Sequence, residues 1–280
     1  MASGSSQLTE TSPPLLAVNE PLPYVIHNPG GGATFLLLGD HAGNRIPAAL
    51  GDLGIDGDER RRHIAWDIGV AGLGERLAAR LDAVFVRGVY SRLVIDCNRA
   101  PGAADAMPAI SDGTRIPGNA DLSAADRAAR IDAIHTPYQR AIADELARRQ
   151  TAGRPPVIVS LHSFTPVMAG NARPWQIGVL HDGGDARFAR ALLDELRRDP
   201  TLTVGDNEPY RMDAIDYTIP RHAYPAGCGY AEIEIRQDLL ATDEQIDGWA
   251  ALLDRALHAA LAAVAPSVRQ SSVSATTSNA

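Results

Sequence analysis

The chain has 280 residues, 45% apolar and 21% charged, which fits one α/β domain or two small ones and excludes a mostly disordered polypeptide. Its 34 acidic groups outnumber 26 basic ones, and a net charge of −8 argues against a nucleic-acid or anionic-membrane partner, whose phosphates call for an excess of cations. Every basic residue is arginine, so a P-loop, a Schiff-base lysine and a kinase strand lysine are all excluded, and two cysteines without a Cys-x-x-Cys exclude thiolate zinc clusters, iron–sulfur centres and a disulfide framework.

Residues 1–23 are rich in Ser, Thr and Pro and lack the basic region and long apolar run of a signal peptide or membrane span. They read as a flexible N-terminal segment before a single domain over 24–264. Short apolar runs at Thr34–Gly39, Ala83–Val86, Leu93–Asp96, Val157–Leu161, Gln176–Leu180 and Tyr230–Arg236 predict buried strands. Between them, helical spacing predicts helices over Glu59–Leu81, Ser123–Arg149, Asp185–Arg198 and Thr242–Val264. Ser123 with Asp126, and Thr242 with Gln245, stand in capping-box positions, while Pro137 should kink or break its helix. Residues 100–121 are too long and too Pro/Gly-rich for an ordinary connection and read as an active-site loop. Residues 265–280, Ser/Thr/Ala-rich, read as a disordered tail. Alternating strands and helices indicate a helix-flanked, largely parallel sheet, and a cytoplasmic location is the default expectation.

Open α/β sheets gather their sites outside the carboxyl ends of the strands. Here those ends carry Asp40-His41-Ala42-Gly43-Asn44-Arg45, Asp96-Cys97-Asn98-Arg99 and His162-Ser163-Phe164-Thr165-Pro166, while Glu232, Glu234 and Arg236 share one face of the last strand. A lone histidine after a strand is ordinarily a hydrogen-bonded structural group. Two histidines, a strand carboxylate and several arginines at one edge are what metal-assisted hydrolysis needs: imidazoles to hold a divalent cation, a carboxylate to take a proton from the attacking water, and a guanidinium to clamp an acidic substrate.

Asp40–Pro47 (DHAGNRIP), Trp66-Asp67-Ile68-Gly69, Ser91–Arg99 (SRLVIDCNR), Leu161–Pro166 (LHSFTP) and Glu232–Arg236 (EIEIR) resemble, in order, the motifs of the N-formylglutamate amidohydrolase family. The resemblance covers about residues 33–262. That family is similar to zinc carboxypeptidases and aspartoacylase-like deacylases. The resemblance implies a three-layer α/β/α fold of the phosphorylase/hydrolase type, with a mostly parallel mixed sheet. It also implies hydrolysis of N-formyl-L-glutamate to formate and L-glutamate, a step of histidine degradation. By the resemblance, His41 and His162 match Zn2+-binding histidines, and Asn44 stands where the carboxypeptidase relatives' His-x-x-Glu has its acidic ligand, with Asp40 or a water as alternatives. Glu234 matches the general base, Asn98 and Arg99 the pair that grips a substrate carboxylate, and Arg92 lies near the arginine that polarises the scissile carbonyl.

His222, shortly before the Glu234 strand, is a further candidate for contact with substrate, and Ser163 or Thr165 for orienting His162. His63 and Asp67, one helical turn apart, read as capping or surface groups. The glycines of Gly69–Gly74 lie within a helical pattern and make no dinucleotide fingerprint, and no Gly-x-Ser-x-Gly elbow exists. The expected partner is a small acidic N-acyl amino acid. The rival readings are a deacylase of another N-acyl amino acid and a metal-free carboxylate-binding protein without catalysis.

Overall fold

Five buried residues in a row form a strand near the middle of a seven-stranded sheet in the computed structural model, which describes residues 14–265. In chain order the strands are β1 (Tyr24–His27), β2 (Phe35–Gly39), β3 (Val84–Gly88), β4 (Ile110–Ser111), β5 (Thr114–Arg115), β6 (Val157–Phe164), β7 (Val167–Met168), β8 (Asn171–Ala172), β9 (Ile177–Leu180), β10 (Val204–Asp206) and β11 (Tyr230–Arg236). The sheet runs β1-β3-β2-β6-β11-β9-β10, and β4–β5 and β7–β8 are separate hairpins. Strands β3, β2, β6 and β11 are mutually parallel, whereas β1 and the β9–β10 pair run the other way, so the sheet is mixed and mostly parallel.

Among the described residues six α-helices cover it: α1 (Val70–Leu81), α2 (Ala124–Arg130), α3 (Thr136–Thr151), α4 (Arg187–Leu196), α5 (Thr218–Ala226) and α6 (Asp243–Val264). Successive strand residues point to opposite faces. Phe35 and Leu37 therefore join a core with α1, α4 and α6, while Leu36 and Leu38 join a second core with α3 and α5. The result is a three-layer α/β/α architecture. Both capping boxes form as their spacing predicts, at Ser123–Asp126 and Thr242–Gln245. Ahead of Pro137 the helix widens into a π-helical segment, Ile131–His135, and Pro137 falls in the first turn of α3, where its missing N–H costs nothing.

Three expectations are corrected. Leu93–Asp96 is a turn, not a strand: Ser91 Oγ accepts from Leu93 N at 3.1 Å and donates to Ala65 O at 2.7 Å, and these local bonds replace a ladder. The helix expected from Glu59 begins only at Val70. Gly69 has φ +87°, and a Cβ there would lie 2.4 Å from Leu240 Cβ, so only glycine fits and the helix cannot extend backward through it. Residues 14–23 are tied down: Leu15 and Leu16 pack on the second core, Tyr90 Oη donates to Pro21 O at 2.9 Å, and Ala48 N donates to Glu20 Oε1 at 2.9 Å. Residues 1–13 of the expected flexible segment, and 266–280 of the expected tail, lie outside the described residues. Among the described residues no helix is long and apolar enough to cross a membrane.

Candidate active site

The carboxyl ends of β2, β6 and β11 meet at one edge of the sheet. His41 follows β2 by two residues, His162 is within β6, and Glu234 of β11 pairs in register with His162. A cavity of about 490 Å3 opens there, lined among others by His41, Asp67, Arg92, His162, Glu232 and Glu234. Asp105, Pro108, Ser111 and Asp112 of the 100–121 loop form part of its wall.

His41, Asp67 and His162 are all buried, and one ligand atom from each lies within 4.8 Å of the other two. Their hydrogen bonds fix which nitrogens face the centre. His41 Nε2 lies 2.6 Å from Asp96 Oδ1, and an ionised carboxylate only accepts, so Nε2 carries a proton and Nδ1 faces the centre. That Nδ1 is buried, has no hydrogen-bond partner and sits 3.4 Å from Asp67 Oδ2. His162 Nε2 contacts Ser160 Oγ at 3.0 Å and Asp40 Oδ2 at 3.6 Å, which turns its Nδ1 toward Asp67 Oδ2 at 2.9 Å. His162 Nδ1 lies within hydrogen-bond distance of the Asp67 carboxylate, which only accepts, so without a cation that nitrogen carries a proton; a divalent cation would take the proton's place among two imidazole nitrogens and a carboxylate oxygen directed at one point. This donor set fits a divalent metal ion.

Burial works against a charged Asp67, but His41 and His162 outweigh it and hold its carboxyl well below the usual carboxylate range. Asp96, also buried, is held low by Arg92 and His41. Arg92 donates from Nη2 and Nε to Asp96 Oδ2 at 2.7 and 3.1 Å, and its Nη1 lies 3.5 Å from Asp67 Oδ1, so one guanidinium fastens both acids beside the cavity. Glu232 and Glu234 behave in the opposite way. Burial, with the neighbouring acids, pushes both carboxyls up, and each has a buried Oε2 without a hydrogen-bond partner. A carboxyl raised by burial beside a cation site is suited to taking and returning a proton.

The other expected residues are placed differently. Asn44 does not reach the cavity. After His41 the chain turns onto residues 89–91, with Arg45 N donating to Val89 O at 3.2 Å and Ser91 N to Arg45 O at 2.8 Å, and this pairing carries Asn44 away from His162. Asp67 stands where Asn44 was expected. Asp40 lies behind His162, accepting from Thr218 Oγ1 at 2.9 Å. Asn98 lines the cavity, but its Oδ1 accepts from Tyr217 N and Thr218 N at 3.0 and 2.9 Å, capping the start of α5. Arg99 also lines the cavity, with its Nε on Asp105 Oδ2 at 3.0 Å and Nη1 3.7 Å from Asp216 Oδ1. His222 is off the cavity: its Nε2 meets Gln139 Oε1 at 2.6 Å, and burial pushes its pKa down to about 4. Ser163 Oγ donates to Ile68 O at 2.9 Å, so it braces the Asp67 segment and leaves His162 to Ser160.

Sequence reasoning passed over Asp67 because the helical spacing of Glu59–Leu81 placed it on a regular helix. The signal that could have found it is Gly69, a breaker two residues later within a motif already singled out.

Residues 33–241 match the N-formylglutamate amidohydrolase family. A gene product of Agrobacterium tumefaciens of known crystal structure is 37% identical and superposes with a TM-score of 0.86, over 89% of this chain and 99% of that one. The N-formylglutamate amidohydrolase of Ralstonia eutropha is 21% identical, with a TM-score of 0.60 over 87% of this chain and 97% of its own, a likeness of fold. No curated protein matches the chain. With three quarters of its length matched, this chain belongs to the N-formylglutamate amidohydrolase family, hydrolases that act on amide bonds.

Proposed function

We propose that the protein hydrolyses N-formyl-L-glutamate to formate and L-glutamate, with Zn2+ held by His41, Asp67 and His162. One observation supports this above the others: a ligand nitrogen of each histidine and the Asp67 carboxylate converge within 4.8 Å, one strand away from the raised carboxyl of Glu234. A zinc ion there supplies a Lewis acid that polarises the formyl carbonyl and acidifies water. Glu234 takes the proton of the attacking water and returns it to the amide nitrogen as the C–N bond breaks. Arg92, fixed by Asp96, directs its remaining N–H groups at the oxygen that gains negative charge. Asp96, through its hydrogen bond to Nε2, keeps the His41 ring in the ligating tautomer.

In this reading Arg99 receives a substrate carboxylate by exchanging its contact with Asp105, a side chain half exposed at the cavity wall, and Asn98 positions it from the cap of α5. Cys97 and Cys228 are both free thiols, which suits a reducing compartment such as the cytoplasm. At about 490 Å3 the cavity has room for acyl groups larger than formyl, which supports a second reading with another N-acyl amino acid as substrate. A hydrolysis screen over N-formyl, N-acetyl and N-succinyl derivatives of glutamate, glutamine, aspartate and methionine separates the two. The first reading expects N-formyl-L-glutamate to give the highest kcat/KM. A higher value for an acetyl or succinyl derivative would replace it with the second, and no hydrolysis of any would overturn both.

A further inference from the structure

Behind His162, on the side away from the cavity, a buried polar chain crosses the second apolar core. Starting from α5, His222 Nε2 meets Gln139 Oε1 at 2.6 Å. Gln139 Nε2 donates to Cys97 O at 2.8 Å and to Thr218 Oγ1 at 3.2 Å. Thr218 Oγ1 donates to Asp40 Oδ1 at 2.9 Å, and Asp40 Oδ2 lies 3.5 Å from Ser160 Oγ and 3.6 Å from His162 Nε2. Asp40, Gln139, Ser160, Thr218 and His222 are all buried. Polar groups of this kind are costly in a core unless each is satisfied.

The direction of every bond follows from one charge. An ionised Asp40 only accepts, so Thr218 must spend its single proton on it. The Thr218 oxygen is then free only to accept, which fixes the Gln139 amide nitrogen toward it and the amide oxygen toward His222. His222 in turn must hold its proton on Nε2. At the other end, His162 Nε2 donates toward Ser160 and Asp40, so that when a cation displaces the proton shared with Asp67, Nδ1 is the ligating atom.

We propose that Thr218, Gln139 and His222 are positioning residues for the metal centre: they hold Asp40 in the one orientation that keeps His162 presenting Nδ1 to the cation. This rests on the metal reading above, and assigns His222 a role behind four intervening residues, Gln139, Thr218, Asp40 and His162, in place of the substrate contact expected of it. Groups behind a metal-bound histidine typically change metal affinity about 10–100-fold when removed. The influence should weaken along the chain from Thr218 to His222.

The test is zinc titration of metal-free protein against a chromophoric competitor, in the wild type and in Thr218→Val, Thr218→Ser and Gln139→Met. Thr218→Val keeps the β-branched shape and removes the hydroxyl; Thr218→Ser keeps the hydroxyl. The expected result is a zinc dissociation constant raised about 10–100-fold in Thr218→Val, restored to within about threefold in Thr218→Ser, and raised by a smaller factor in Gln139→Met. Should Thr218→Val not fold, Gln139→Met carries the test, because it leaves the Thr218–Asp40 bond in place. Wild-type affinity in the folded variants, with zinc bound normally by the wild type, would overturn the proposal alone. A wild type that binds no zinc would overturn it together with the metal reading.

Discussion

Replacing Asp67 by Asn removes one negative charge from the three-residue cluster and keeps the side-chain volume, so it isolates the electrostatic part of metal binding. Asp67 Oδ2 lies 2.9 Å from His162 Nδ1 and 3.4 Å from His41 Nδ1, and the side chain is buried, so bulk water screens its charge little. A unit charge about 4 Å from a divalent cation is worth about 8 kcal/mol at an effective dielectric near 20. Part of this is recovered because the amide oxygen remains a neutral donor, which leaves a predicted loss of about 10²–10³-fold in zinc affinity. The assay is competition titration of metal-free Asp67→Asn beside the wild type, with circular dichroism to confirm the fold. Asn44→Ala is the control and should bind zinc within about threefold of the wild type, because Asn44 lies off the cavity. Wild-type affinity in Asp67→Asn combined with lost binding in Asn44→Ala would refute the assignment and return the third ligand to the His-x-x-Asn position.

The remaining expectations follow from the same geometry. A general base contributes about 10²–10⁴-fold, so Glu234→Gln at matched zinc content should lower kcat by that factor and Glu232→Gln by much less; the opposite order would mean the strand places the wrong carboxyl at the reacting atoms. Arg99→Ala should raise KM for an acidic substrate by about 1.5 kcal/mol, at the lower end for a charged hydrogen bond because the wild type gives up Asp105 to make it; equal effects on glutamate and glutamine derivatives would remove Arg99 from the clamp. The pKa of His222 is depressed from 6.5 to about 4, so its contribution to stability is fully present above pH 6.5 and is lost as pH falls through about 4. Denaturant unfolding should therefore show the wild type losing about 3 kcal/mol more than His222→Phe between pH 6.5 and 4; parallel pH curves would contradict a buried neutral imidazole there.

What the sequence revealed was mostly local or periodic. Strand β11 has the predicted bounds, Tyr230–Arg236, and α6 starts at the Thr242 box, because apolar runs and capping pairs carry their own structure over a few residues. His41, His162 and Glu234 were legible because strand ends of a parallel sheet converge whatever the loops do. Asp67 was not, since its place depends on the left-handed Gly69 and on Asp67 N reaching back to His41 O at 2.9 Å, neither of which helical spacing reports. The engagement of Arg99 with Asp216, and of His222 with Gln139, 83 residues away, are likewise tertiary facts that motif spacing does not encode.

The central claim is that a divalent cation at His41, Asp67 and His162 is required for amide hydrolysis. Its most direct test is formate release from N-formyl-L-glutamate by the purified protein before chelation, after chelation and dialysis, and during stepwise return of zinc. The account predicts that activity disappears with the metal and returns linearly to a plateau at one equivalent of zinc per chain. Undiminished formate release by the chelated protein, with zinc confirmed absent by elemental analysis, would contradict it.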